Sequence, residues 1–340
     1  MKIATLTLNP AIDRTFYCGE VKTGALNRAI SPSVTTHGGK GTNVSCALKQ
    51  LGVKSTAYGF YGGDTGDLYM KLLEPYRSDI DINFTKIKSG TRINFKIIAQ
   101  NGESTEFNEA GGFVEPHEKD ELLDKIKRDL DDIDIFIMSG SVPPGIEKSI
   151  YRDVINLGGD KTKFILDCDG EALKLCMANK KKPYIIKPNL FELEQFTGKK
   201  FDLSNDSGER EIFDEVAKIR EETGVIVLCT LGEHGAVING GGGTYCVSAP
   251  KLEKGEVRGF AGAGDTFLAA FCAAYFGLFD FEEIWRAAGG LTPSGRNITD
   301  KTVRAAIFAN IAAAAKVTKP GTEFPSAGEI REMCGRMMNR

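Results

Sequence analysis

Two glycine-rich turns in this sequence have the composition to handle an anion, and each precedes a run with helical spacing. The later one, Gly262-Ala263-Gly264-Asp265, opens the apolar run Thr266-Phe267-Leu268-Ala269-Ala270-Phe271. Paired glycines let the backbone turn tightly, so the free N–H groups at the start of a helix aim at one spot. Those donors and the helix dipole suit a transferring phosphoryl group. An aspartate beside them can take the proton of an attacking hydroxyl, which makes Asp265 a candidate general base. The same four residues also suit a plain turn with Asp265 as a cap. The earlier turn, His37-Gly38-Gly39-Lys40-Gly41-Thr42-Asn43, has neither P-loop nor Rossmann spacing. A glycine-lined sugar pocket with Lys40 facing a substrate phosphate fits it better than either, against a loop with a solvated lysine.

These groups need a scaffold to bring them together, and the chain alternates short apolar strands with helical segments. Ile3 to Leu8 reads as a strand, and Asn43 to Leu51 as a helix with Val44, Ala47, Leu48 and Leu51 at helical spacing. Lys54 to Phe60 and Gly66 to Leu73 repeat that pair. Further strands end in polar residues: Ile133 to Met138 before Ser139, Phe164 to Leu166 before Asp167, Tyr184 to Ile186 before Lys187, and Val225 to Cys229 before Thr230. The pattern predicts an α/β fold, a mostly parallel sheet with helices on both faces. Ligands of such sheets bind beyond the carboxyl ends of the strands, where these polar residues fall. Arg14 to Tyr17 and Ile80 to Glu106 alternate in the strand period without intervening helices, which predicts a small separate β layer. No linker is long enough to divide the chain, so residues 1–340 read as one domain.

Composition narrows the class. Of 340 residues, 41% are hydrophobic and 26% charged, the mix of a globular protein with a sizeable core. A formal charge of −3 offers no broad basic surface, so no nucleic-acid partner is expected. Eight cysteines are scattered without a C-x-x-C pair or a Cys/His cluster, which argues for reduced thiols and a cytoplasmic protein. No apolar run suits a signal peptide or a membrane span.

The motifs in their order resemble the PfkB/ribokinase family of carbohydrate kinases. Gly38-Gly39, Gly41, Asn43, Ser45, Gly52 and Gly62 match its N-terminal signature, and Gly262 to Asp265 the core of its C-terminal one. Asn189-Leu190-Phe191-Glu192 resembles its N-x-x-E motif, and Thr230-Leu231-Gly232-Glu233-His234-Gly235 its nucleotide loop. Within the family, Thr7 to Asp13, Lys40 between its glycines, Thr91-Arg92-Ile93-Asn94, Ser139 to Gly145 and Lys187-Pro188-Asn189 are most similar to the 1-phosphofructokinase branch.

The resemblance implies a ribokinase-like three-layer sandwich with a β lid from about 12–36 and 82–112. It implies ATP-dependent phosphorylation of D-fructose 1-phosphate at the 6-hydroxyl, with Mg²⁺. Asp265 would be the base, with Gly262, Ala263 and Gly264 forming the anion hole. Asp13, Gly38, Gly39, Asn43 and Ser139 would bind the sugar, with Lys40 and Arg92 on its phosphate. Lys187, Asn189, Thr230, Gly232, Gly235 and Asn310 would bind ATP. Glu192 would orient a magnesium-bound water, although Asn-x-x-Glu is also a helix capping box. Lids of this family often pair, which implies a homodimer. Tagatose-6-phosphate kinase, a 6-phosphofructokinase, and a non-catalytic sugar-phosphate sensor are the alternatives.

Two features depart from the family. Gly259 and Phe260 stand where it has side-chain oxygens and small residues, so no potassium site is carried over. Residues 289–297 look like an additional loop.

Overall fold

Short, nearly continuous apolar runs such as Ile135–Ser139, buried along their whole length, dictate a sheet that is covered on both faces. The computed structural model describes residues 1–101, 103–253, 255–282, 284 and 299–338. Its strands are β1 (Ile3–Thr7), β2 (Ala11–Cys18), β3 (Val34–Gly38), β4 (Ser55–Gly62), β5 (Ile80–Ile87), β6 (Arg92–Ala99) and β7 (Ser104–Asn108). They continue as β8 (Ile135–Ser139), β9 (Lys163–Asp167), β10 (Ile185–Ile186), β11 (Ile226–Thr230), β12 (Ala236–Gly240) and β13 (Gly243–Val247).

Nine strands form one sheet in the order β13-β12-β11-β10-β9-β8-β1-β4-β5. From β5 to β11 neighbours run parallel, and β12 and β13 add an antiparallel edge. The sequence-order direction reverses at β1, with β4 on one side and β8 on the other. That reversal is the crevice where open α/β sheets bind ligands.

On one face, Ile3, Ile135, Ile137, Ile165, Ile185 and Leu228 share a core with two early helices and one late one. These are α1 (Lys40–Gln50), α2 (Gly63–Leu73) and, later in the chain, the helix that follows the second glycine turn. On the other, Leu6, Phe136, Met138, Leu166, Ile186 and Val227 pack under α3 (Pro116–Asp129), α4 (Ile150–Leu157), α5 (Gly170–Ala178), α6 (Leu190–Thr197) and α7 (Asp206–Thr223). The helix after the glycine turn is α8 (Ala263–Tyr275), and α9 (Lys301–Val317) and α10 (Ala327–Met338) complete its side. Alanines on α8 (Ala269, Ala270, Ala273) and α9 (Ala305, Ala309, Ala312) let these two helices approach closely.

The second sheet has four strands, in the order β3-β2-β6-β7. It corrects one expectation: β5, read from its alternation as part of the small layer, is the edge strand of the large sheet, paired parallel with β4. The small sheet therefore takes only β6 and β7 from the stretch 82–112. Three connections from the small sheet are short: Leu8–Pro10 and Lys88–Thr91 from the large sheet, and Gly39 into α1. The loop at 289–297 lies outside the described residues.

Candidate active site

The two glycine turns meet. Gly39 is the cap of α1 and Gly262 the cap of α8, the latter at φ 78°, a left-handed conformation that a side chain would strain. The amino ends of both helices face one point, and Asn43 Nδ2 donates to Asp265 Oδ2 at 2.8 Å. Asp265 is buried, 6% exposed. Burial and the nearby Asp167 charge push its pKa up to about 6, against the Asn43 hydrogen bond and the Lys40 and Lys187 ammoniums. A carboxylate held there is a proton acceptor near neutral pH.

Asp167, at the end of β9, is the centre of the charges around it. Lys40 Nζ lies 3.1 Å from its Oδ1 and Lys187 Nζ 3.2 Å from its Oδ2. Burial alone would raise the Asp167 pKa, but Lys187 and Lys40 outweigh it and hold it below the usual carboxylate range. Lys40 also reaches Glu192 Oε1 at 2.9 Å. Burial would lower the Lys40 pKa, yet Asp167, Glu192 and Asp265 hold it well above the ordinary lysine value. Two ammoniums thus face three carboxylates. Lys187 also sits beside the second glycine turn, 3.6 Å from where a Cβ on Gly264 would stand.

The Asn189/Glu192 capping box is present: Asn189 Oδ1 accepts from the Glu192 N–H, and Glu192 Oε2 from the Asn189 N–H, both at 2.8 Å. That leaves Glu192 Oε1 for Lys40, so the carboxylate both caps α6 and faces the site.

At the small sheet, strand register sets Asp13 of β2 between Thr36 of β3 and Asn94 of β6. Asn94 Nδ2 donates to Asp13 Oδ1 at 2.9 Å, and burial raises the Asp13 pKa. A cavity of about 200 Å³ adjoins them, lined also by Lys96, Arg258 and Gly259. Ser139 Oγ and Asn43 Oδ1 are buried without a protein hydrogen-bond partner among the described residues, as groups awaiting a ligand hydroxyl would be. A Cβ on Gly38 would collide with the Asp13 carboxylate. Gly38→Ala is accordingly expected to displace Asp13 and lower kcat/KM for the sugar by about 10²-fold, with a smaller effect on KM for nucleotide. Steady-state kinetics with each substrate varied would check this.

Arg92, expected on the sugar phosphate, is held by two backbone carbonyls. Its guanidinium fork donates to the Glu109 carbonyl at 2.9 Å and the Asn9 carbonyl at 3.1 Å, tying the entry of β2 to the exit of β7. The remaining expected residues follow the carboxyl edge of the sheet. Thr230 bridges to Asn189, with its N–H on the Pro188 carbonyl at 2.9 Å. Gly232 and Gly235 bound the short turn between β11 and β12. Asn310, on α9, donates to the Val247 carbonyl at 2.9 Å and so anchors α9 to the end of β13.

Sequence reasoning left Asp167 without a role, although its signal was that of Lys187: a polar residue ending an apolar strand. Lys96 and Arg258 carried no pattern that set them apart. A wider cleft, about 650 Å³, opens at the amino ends of β1, β4 and β5, where Lys2, Lys54 and Arg77 are solvated charges without a buried base. Among the described residues no group of three or more His, Cys, Asp or Glu could cage a metal, and no helix is long and apolar enough to cross a membrane.

Helix ends converging on a buried carboxylate at the switch point of a ribokinase-like sheet are the working parts of a phosphotransferase. The model of the pfkB family of carbohydrate kinases matches residues 6–327, and the chain belongs to that family: it is a sugar kinase. A 1-phosphofructokinase from Borreliella burgdorferi is 34% identical over 303 residues, covering 88% of this chain and 94% of that protein. Phosphofructokinase-2 from Escherichia coli, solved with substrates and products, superposes with a TM-score of 0.81 at 23% identity over the whole of both chains. A possible 1-phosphofructokinase from Thermotoga maritima gives a TM-score of 0.80 at 23% identity, over 99% of this chain and 98% of that one.

Proposed function

We propose that this kinase transfers the γ-phosphoryl group of ATP to the 6-hydroxyl of D-fructose 1-phosphate, giving fructose 1,6-bisphosphate and ADP. The observation that carries the reading is Asp265: a buried carboxylate with its pKa raised to about 6, held by Asn43 at the amino end of α8. It takes the proton of the 6-hydroxyl as that oxygen bonds to the γ-phosphorus and the bond to the ADP oxygen breaks. First-turn amides of α8 and the Lys187 ammonium beside Gly264 offset the charge on the transferring group. Asp13, Asn94 and Ser139 orient the sugar.

Members of this family use ATP, typically with Mg²⁺. Magnesium takes few protein ligands and keeps several waters, so Glu192, with Oε1 facing the site, fits a water-mediated role. When bound, the ion neutralises phosphate charge. The choice of sugar rests on the 34% identical relative and on Thr91-Arg92-Ile93-Asn94. Leu26, Ile30, Val34 and Phe107 are exposed on the small sheet and its loop, which supports pairing of two lids in a homodimer.

The test is an ADP-release assay with MgATP and each sugar phosphate. At least tenfold higher kcat/KM on fructose 1-phosphate than on tagatose 6-phosphate or fructose 6-phosphate is expected, a margin of about 1.4 kcal/mol. A reversed order would assign the other sugar, and tight binding without turnover would make the protein a sensor.

A further inference from the structure

The site described above leaves one buried charge unexplained. Lys316, in the last turn of α9, is fully buried. Its ammonium donates to the Gly321 carbonyl at 2.9 Å and lies 3.5 Å from the Lys319 carbonyl, with no carboxylate partner among the described residues. A lysine without a counter-ion in the interior is costly. Burial pushes its pKa down to about 8, while Glu323 and Asp265 act to raise it and Lys319 and Lys96 to lower it. Such a cation persists where it has a task.

Its surroundings indicate the task. The Lys316 Cε lies 3.5 Å from where a Cβ on Gly262 would stand, so the side chain runs directly beneath the turn that caps α8. The segment entering that turn is pinned to the same place: the N–H groups of Arg258 and Gly259 both donate to the Val317 carbonyl, at 2.8 and 3.3 Å. The ammonium therefore holds the turn at 319–321, while the methylenes of the same side chain pack under the turn at 259–262, whose lead-in is tied to the neighbouring Val317 backbone. Backbone carbonyls arranged around a single positive charge are also what a dehydrated alkali ion requires, and here the charge is covalently attached.

We propose that Lys316 is a tethered monovalent cation, a positioning residue that clamps these two turns and so fixes the amino end of α8 for phosphoryl transfer. The activity part of this proposal rests on the kinase reading. The chain then needs no added alkali ion, consistent with the absence of side-chain oxygens at Gly259 and Phe260.

The experiment compares wild type, Lys316→Ala and Lys316→Met in potassium, ammonium, sodium and tetramethylammonium chloride at equal ionic strength. Turnover and melting temperature are both read. Wild type should be indifferent to the cation in both. Lys316→Ala, which opens the seat, should lose about tenfold or more in kcat and regain at least threefold in potassium or ammonium but not in tetramethylammonium. Its melting temperature should rise with the same selectivity. Lys316→Met, of similar length and without charge, should lose kcat and show no rescue, since its side chain fills the seat. Potassium stimulation of wild type by threefold or more would overturn the proposal, as would normal kcat in Lys316→Met or a cation-blind Lys316→Ala. Failure of the kinase reading would appear as wild type inert on every sugar, and the melting data would still judge the lysine.

Discussion

Asp265→Asn is expected to lower kcat by about three to four orders of magnitude, the upper range for loss of a general base. Binding of MgATP and sugar phosphate should change less than about threefold, because the amide oxygen can still accept from Asn43. Rapid-quench turnover and isothermal titration together read the two halves of this result. The wild-type pH profile carries the same argument. A base acts only when deprotonated, and Asp265 protonates at about pH 6. So log kcat/KM should rise with unit slope up to about pH 6 and flatten above it. Near-normal kcat in the variant, or a profile flat down to pH 5, would remove Asp265 from this role.

Asp167→Asn should hurt in two measurable ways. The buried carboxylate pairs with both Lys187 and Lys40, so a neutral amide leaves the buried Lys187 ammonium without its ion pair and the part-exposed Lys40 with Glu192 alone. Breaking a buried pair in this manner costs about 3 kcal/mol or more, visible as a lower midpoint in urea. The sign with pH follows from the direction of its shift. Asp167 titrates lower in the folded than in the unfolded chain, so its stabilisation is present above the unfolded value and is lost as pH falls through the folded one. The stability gap between wild type and variant should therefore narrow in acid. Asp167 is also among the causes that raise Asp265, so the acid limb of activity should move below pH 6. An unchanged midpoint and an unmoved limb would mean the two lysines find charge balance elsewhere.

Much of this was legible because the physics is local. Short apolar runs marked the strands of the large sheet, and the polar residue at the end of each marked the working edge, where Ser139, Asp167, Lys187 and Thr230 all stand. The glycine turns were legible because only a bare backbone can cap α8 in a left-handed conformation or pass Asp13 as closely as Gly38 does. The misplacement of β5 has an equally local cause. An edge strand of a large sheet is half-exposed, and Ile80 and Phe84 alternating with Asp81 and Thr85 give the same period as a strand of a small sheet. Partnerships were not legible. Lys40 meets carboxylates 127 and 152 residues away, and nothing near it in sequence says whether it faces them or a phosphate. Arg92 likewise takes its partners from strand register, not from its neighbours in Thr91-Arg92-Ile93-Asn94.

The short connections from the small sheet to the rest of the fold have a mechanical consequence. Leu8–Pro10, Gly39 and Lys88–Thr91 all cross near the carboxyl edge of the large sheet, and Arg92 laces Asn9 to Glu109 along the same line. If the small sheet swings as a lid, these crossings would lie at its pin. At about 3.3 Å per residue along β2, Asp13 stands about 7 Å from Ala11 and Cys18 about 23 Å. A 10° swing would then carry Cys18 about 4 Å but Asp13 only about 1 Å. In such a swing the free edge would travel far while the residues nearest the pin would keep their aim.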